Sequence, residues 1–317
     1  MSQFRHGTLD VNRIRLHYVE AGAGPAIVFC HGFPEFWYSW RHQLRFFADA
    51  GFRAIALDMR GHGESGVPDD IADYDVLHTV GDVIGLLDSL QIKHAIIVGH
   101  DAGTTTAYHA ALMRPDRIVG VAGLSVPFMP RGHLSMIEAL ENEVPPEFYM
   151  FYFQAPGVAE ADLEKNPRHS LRRLFYANSG MNPGSPIMMM ASKERGLIDT
   201  LPAASESLDF LADEEMDFYE AAFTRTGFRG GLNGYRVFHR NWELTSPWNG
   251  MALPVPNLFI GGSVDTVLQF PGFRDATEAM EEFHILEGAG HWIQSERAPE
   301  VNDILLRFCV RVGNRPA

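Results

Sequence analysis

Up to Leu124 the chain alternates short apolar runs with longer stretches in which apolar residues recur at helical spacing. Val11 to Glu20, Ala26 to Cys30, Ala54 to Leu57, His94 to Val98 and Val119 to Leu124 read as strands. Between them, Trp37 to Ala48, Val76 to Leu90 and Thr104 to Met113 read as helices, the last ended by Arg114-Pro115, because the residue before a proline is pushed out of the helical region. Strand and helix in regular alternation predict a largely parallel sheet covered on both faces. From Phe128 to Thr245 the strands disappear and Phe, Tyr, Met, Glu and Arg dominate, which predicts a helical insertion. The alternation resumes with Val255 to Ile260 and Phe283 to Leu286, and Pro299 to Val312 reads as a closing helix. The predicted organisation is one catalytic core, 1–127 and 246–317, with a helical cap at 128–245.

Composition narrows the class. With 317 residues, 46% of them hydrophobic, the chain can bury a large core. A net charge of -14 and the lack of a basic patch argue against a nucleic-acid partner, whose affinity rests on clustered Lys and Arg. No stretch approaches the ~20 apolar residues needed to cross a bilayer, and the N-terminus has no apolar signal core, so no membrane partner is expected. The two cysteines, Cys30 and Cys309, fall in apolar runs and read as core residues, which fits a reducing, cytoplasmic setting.

The chemistry concentrates where Ile96-Ile97-Val98 breaks into Gly99-His100-Asp101-Ala102-Gly103-Thr104. This is the spacing of a nucleophile elbow with a carboxylate where most hydrolases of this layout carry serine. Asp101 alone could equally be the N-cap of the next helix. An attacking carboxylate forms an ester with an alkyl carbon, released only when water attacks that ester, which points to epoxides or alkyl halides and away from amides. Chain order strengthens the case. Asp265 follows the strand Leu258-Phe259-Ile260, and His291 lies in Gly288-Ala289-Gly290-His291-Trp292 after the strand ending at Leu286. Nucleophile, acid and histidine then come in that order at the carboxyl ends of strands. Asp265 would orient the imidazole and stabilise its cation. His31-Gly32-Phe33-Pro34-Glu35 also follows an apolar strand, so the N–H groups of Phe33 and Ala102 are the expected oxyanion hole. His31 is expected to brace that loop.

Four segments together resemble an epoxide hydrolase of the α/β-hydrolase superfamily: His31 to Glu35, Asp58-Met59-Arg60-Gly61-His62-Gly63-Glu64-Ser65, Gly99 to Gly103, and Gly288 to Trp292. The resemblance implies an α/β-hydrolase fold with a mostly parallel eight-stranded sheet and an inserted cap. Within the cap, Phe151-Tyr152-Phe153-Gln154-Ala155-Pro156-Gly157 and Gly231-Leu232-Asn233-Gly234-Tyr235-Arg236 resemble the segments that supply the two epoxide-binding tyrosines, so Tyr152 and Tyr235 are the expected ring-opening pair. A phenol with a pKa of about 10 stays protonated at neutral pH and can donate to the opening epoxide oxygen. Trp37, Phe128 and Met129 are expected in the pocket lining, whereas the Met188-Met189-Met190 run is read as ordinary core packing. One departure stands out. The family commonly carries Trp after the nucleophile and this chain has Ala102, which leaves the backbone N–H but removes the indole wall that related dehalogenases use to hold halide.

The expected reaction is hydrolysis of a small hydrophobic epoxide by water to a vicinal diol, with no metal and no organic cofactor, and with a homodimer left open. The rivals are a haloalkane dehalogenase using the same nucleophile and a catalytically silent ligand-binding receptor.

Overall fold

The computed structural model describes residues 4–205 and 207–313. Its sheet runs in the order β1-β2-β4-β3-β5-β6-β7-β8. The strands are β1 (Arg5–Val11), β2 (Ile14–Gly22), β3 (Ala26–Cys30), β4 (Arg53–Leu57), β5 (Ala95–His100), β6 (Ile118–Leu124), β7 (Asn257–Gly262) and β8 (Glu282–Leu286). Only β2 runs antiparallel to its neighbours, pairing with β1 and β4, and every other pairing is parallel. Strands β3 and β5 are buried along their whole length at the centre of the sheet, as continuous apolar runs covered on both faces must be.

The N-terminal strand is longer than its hydrophobic run. The segment read as one strand from Val11 is a hairpin, turning at Asn12 and Arg13, whose φ values are +48° and +63°. Strand β1 lies at the sheet edge and exposes alternate residues, so its polar sequence Arg5-His6-Gly7-Thr8 gives no apolar run to detect.

Helices α1 (Arg41–Asp49), α2 (Val76–Ser89) and α3 (Ala102–Met113) cover the first half of the sheet. In α2, Asp75 caps the N-terminus by accepting from the His78 N–H, and Val76, Val80, Val83 and Leu87 form one buried stripe. Burial of each such side chain is worth about 1.5–3 kcal/mol before the entropy of ordering it. Helix α3 presents Ala107, Ala110 and Ala111 to the sheet, and these small side chains bring the helix close to the strands.

The chain leaves the sheet after β6 and returns at β7. Between them lie α4 (Met136–Leu140), α5 (Tyr149–Tyr152), α6 (Val158–Leu163), α7 (Pro167–Ala177), α8 (Asp213–Thr226), α9 (Arg229–Arg236) and α10 (Phe238–Leu244). After β7 come α11 (Phe273–Glu278), α12 (Ile293–Glu296) and α13 (Ala298–Gly313). The inserted helices sit over the carboxyl ends of the strands and are tied there by polar contacts. Arg41 of α1 donates to Glu215 at the start of α8 and to the Phe210 carbonyl. Arg240 of α10 donates to Asp75, and Asn241 accepts from the Val76 N–H. Among the described residues no helix is long and apolar enough to cross a membrane. Cys30 and Cys309 are both buried and free.

Candidate active site

Asp101 stands in the sharp turn between β5 and α3 with φ +49° and ψ -122°, a conformation side chains rarely adopt. Its neighbours make the turn feasible. A Cβ on Gly99 would lie 2.6 Å from the Gly103 carbonyl oxygen, and one on Gly103 would lie 2.2 Å from that of Cys30. Only glycine fits at either position, so the small residues of the motif are a steric requirement. The turn lifts the Asp101 carboxylate above the sheet, where its Oδ1 accepts from the Phe33 N–H at 3.0 Å. Phe33 is presented by the loop after β3. His31 braces that loop, accepting from the Met59 N–H at Nε2 while its Nδ1 bonds the Gly32 carbonyl. Burial pushes the His31 pKa down, consistent with a neutral ring donating at one nitrogen and accepting at the other.

His291 lies across from Asp101. Its Nε2 is 3.4 Å from Asp101 Oδ2, and its Nδ1 is 3.0 Å from Asp265 Oδ2. Asp265 follows β7, is fully buried, and also caps the next turn by accepting from the Val267 N–H. Burial opposes charging His291, but the carboxylates of Asp265 and Asp101 outweigh it and hold its pKa well above the ordinary imidazole range. Burial likewise works against the Asp101 carboxylate, but its hydrogen bond and ion pair with His291 bring its pKa below the ordinary range. At neutral pH the resting site is therefore a carboxylate facing an imidazolium.

The histidine loop is held from beneath and from above. From beneath, His100 Nε2 lies 2.9 Å from the His291 carbonyl, and its Nδ1 lies 2.7 Å from Glu35. Ser125 Oγ donates to the same carbonyl, and Gln294 donates to the other oxygen of Glu35. From above, the His291 N–H donates to the carbonyl of Asn178 in the cap, and Trp292 Nε1 donates to that of Phe175. The half-buried carboxylate of Glu296 accepts the N–H groups of Gly290 and Trp292 on the loop and of Gly180 on the cap. Glu35, His100, Asn178 and Glu296 carry no role in the sequence reading. Glu35 and His100 lie inside quoted motifs, but nothing in their spacing says that they meet.

The cap supplies two tyrosines, and one is not the tyrosine expected. Tyr235 of α9 and Tyr149 at the start of α5 face the cavity over Asp101, their ring centroids 6.0 Å apart. Within the described residues no hydrogen bond engages either phenol. Burial, reinforced by the negative charge of Asp101, pushes both phenols well above their ordinary pKa, so both stay protonated. Tyr152, the residue expected here, lies one helical turn further along α5 and outside the cavity, where its Oη donates to Asp162 of α6 at 3.3 Å. Burial and that carboxylate raise its pKa to about 12. The run Phe148 to Phe153 offers two tyrosines three residues apart. What separates them is that Tyr149 is buried facing Asp101 while Tyr152 meets Asp162, a partner not evident from the local motif.

The cavity has two lobes meeting at Asp101, Tyr149, Tyr235 and Val267. One, of about 430 Å³, reaches past His291 to Leu174, Asn178 and Met189. The other, of about 950 Å³ including its opening to solvent, is lined by Phe128, Met129, Met136 and Phe270. Phe128 and Met129 lie in the lining, and so does Met189, unlike the reading of its run as core packing. Trp37 does not. It is buried instead against the N-terminal hairpin, edge-on to Phe4 and His6, and its N–H donates to Asp58. Phe36, in extended backbone just before the turn Trp37–Trp40, packs edge-on against Tyr219 of the cap. Ala102 faces the larger lobe beside the nucleophile.

Comparison with known proteins identifies the family. A family model described as the α/β hydrolase fold matches residues 25–298. Epoxide hydrolase A of Mycobacterium tuberculosis is 41% identical over 310 residues, spanning 95% of this chain and 95% of that one. The crystal structure of epoxide hydrolase A from Mycobacterium thermoresistibile superposes with a TM-score of 0.90 at 42% identity, covering 96% of this chain and 98% of that one. Potato epoxide hydrolase I superposes with a TM-score of 0.90 at 36% identity, covering 98% and 100% respectively.

Proposed function

We propose that this chain, which belongs to the epoxide hydrolases of the α/β-hydrolase fold, works through a covalent ester on Asp101. The reading takes 128–245 as the cap and 1–127 with 246–317 as the catalytic core. Asp101 Oδ2 attacks an epoxide carbon and the ring C–O bond breaks. Tyr149 or Tyr235 donates a phenolic proton to the departing oxygen, giving a hydroxyalkyl ester. The one observation that carries this assignment is the position of two protonated, unengaged phenols over a carboxylate whose other oxygen is already held by the Phe33 N–H.

Esterification then changes the electrostatics. Neutralising Asp101 removes one of the two carboxylates that hold His291 protonated, so the imidazole passes its proton to the phenolate left by ring opening and becomes a base. His291, still oriented by Asp265, takes a proton from water as the water oxygen attacks the ester carbonyl. The N–H groups of Phe33 and Ala102 hold the resulting oxyanion, a donor of this kind being worth about 3 kcal/mol in the transition state. Collapse breaks the ester bond, the diol leaves with Oδ2 as its new hydroxyl oxygen and takes the proton from His291, and the carboxylic acid left on Asp101 gives its proton to His291, restoring the resting pair.

Ala102 bears on the nearest alternative chemistry. A dehalogenase needs a donor to hold the leaving halide, and a methyl group provides none, so the residues favour an epoxide. Single turnover in heavy-oxygen water tests the scheme. Label is expected in Asp101 with the diol unlabelled, and label entering the diol directly overturns it. His291→Gln should allow attack and stall release, so intact mass should show protein plus one epoxide.

A further inference from the structure

Next to the nucleophile the larger lobe does not close. Beyond Ala102 lies a chamber of about 600 Å³ including its opening to solvent, walled by Met59, Val76 and Thr79 from the core and by α9 and Phe238 from the cap. Ala102, Gly234 and Asn241 border both spaces, so the chamber and the larger lobe adjoin.

Two small residues face this space from opposite sides. On the core side Ala102 contributes only a methyl group. On the cap side is Gly234, inside helix α9, and a Cβ built there meets nothing within 4 Å. The other two glycines of α9 differ: a Cβ on Gly230 would strike the backbone of Gly61, and one on Gly231 the ring of Phe33. Gly234 has neither such a clash nor a left-handed backbone to require it, and glycine inside a helix is destabilising relative to alanine. The fold therefore gives no reason for Gly234 to lack a side chain, and the space opposite Ala102 stays open.

Most polar groups around the chamber are already engaged, though the buried Nε2 of His62 has no partner among the described residues. Arg60 is committed to Asp82 at 2.6 Å, Thr106 donates to Thr79, and the Asn241 oxygen accepts from the Val76 N–H. Burial pushes the His62 pKa down to about 3, so that ring is neutral. No uncompensated charge borders the space, and a carboxylate or ammonium entering it would lose its hydration without a partner.

We infer that this chamber is a substrate subsite taking an uncharged, bulky aromatic substituent of the epoxide, and that Ala102 and Gly234 keep it open. The inference rests on the reaction proposed above. Its test compares kcat/KM for 2-naphthyloxirane with that for 1,2-epoxybutane in the wild type, Gly234→Ala and Gly234→Leu. The ratio should fall about tenfold in Gly234→Leu, as expected when a pocket loses room for part of its substrate, and less in Gly234→Ala, whose melting temperature should rise. Inhibition by the naphthyl diol gives a second reading that does not depend on turnover by the variant, and it should weaken in step. A folded Gly234→Ala and Gly234→Leu pair with the wild-type ratio and wild-type diol affinity overturns the subsite and leaves the reaction assignment intact. Calorimetry of the naphthyl diol separates the opposite case: diol binding that weakens in the variants, in a protein that opens neither epoxide, upholds the subsite and refutes the reaction.

Discussion

The two halves of the proposed active site are held in different ways. In the core, Asp101 is fixed by main chain: a positive φ and glycines at 99 and 103 with no room for a Cβ. In the cap, Tyr149 and Tyr235 are fixed by packing, each set edge-on against Phe153 with ring centroids 5.4 and 5.1 Å away. A salt bridge supports the second ring from behind, Arg236 pairing with both oxygens of Glu160 at 2.7 and 2.9 Å. Backbone sterics tolerate almost no substitution and leave a short, legible motif. Ring packing tolerates exchange of similar volumes and leaves no fixed spacing.

Substitutions can break this contrast at either end. Asp101→Ala removes the nucleophile and should lower kcat by about 10⁶-fold, as loss of a nucleophile does where catalytic groups act as a unit. Diol formation is the readout, and substantial residual turnover would place the nucleophile elsewhere. Tyr149→Phe or Tyr235→Phe should each slow alkylation by ~10²-fold, and the double change should nearly abolish it. Tyr152→Phe should leave alkylation at the wild-type rate. A Tyr152→Phe effect as large as that of Tyr149→Phe would show that the phenol bound to Asp162 reaches the substrate after all.

The electrostatics give a third expectation. In the ester intermediate the His291 pKa should fall below its resting value, because Asp101 no longer carries charge. Ester hydrolysis should then rise with pH, about tenfold per unit below that pKa, and level off above it. Alkylation needs Asp101 ionised, and because that pKa lies below the ordinary carboxylate range, alkylation should stay flat down to acid pH. Single-turnover rates over about pH 5 to 9 separate the two steps, and parallel profiles would mean that His291 is not the base of the second step alone. The smallest effects compare the two kinds of support directly. Gly103→Ala forces a Cβ against the Cys30 carbonyl and should cost ~1 to 3 kcal/mol, lowering the melting temperature by roughly 2–4 °C per kcal/mol together with activity. Phe153→Leu should cost less than about 1.5 kcal/mol and alter KM more than stability. A reversal of that order would show that the cap, not the elbow, sets the rigidity of the site.

The same contrast explains what the sequence made legible. The central strands are apolar because both faces are covered, so β3, β5 and β6 stand out as runs. The elbow glycines mark Asp101, and His291 lies in a glycine-flanked loop at a strand end. Strand β1 escaped because an exposed edge strand has no apolar run. Tyr149 escaped because the choice between it and Tyr152 depends on where Asp162 of α6 lies, a contact no local pattern encodes. Trp37 was misjudged because an aromatic residue near a functional loop can pack to either side of it, and here the N-terminal hairpin provides the better burial.

Glu296 has a consequence for how substrate arrives. Its carboxylate bonds Gly180 of the cap together with Gly290 and Trp292 of the histidine loop, and the Asn178 and Phe175 carbonyls anchor the same loop. Raising the cap as a rigid lid would pull on the very loop that carries the base. Lifting the cap would therefore cost these hydrogen bonds or displace His291, whereas turning individual side chains at its rim would leave both in place.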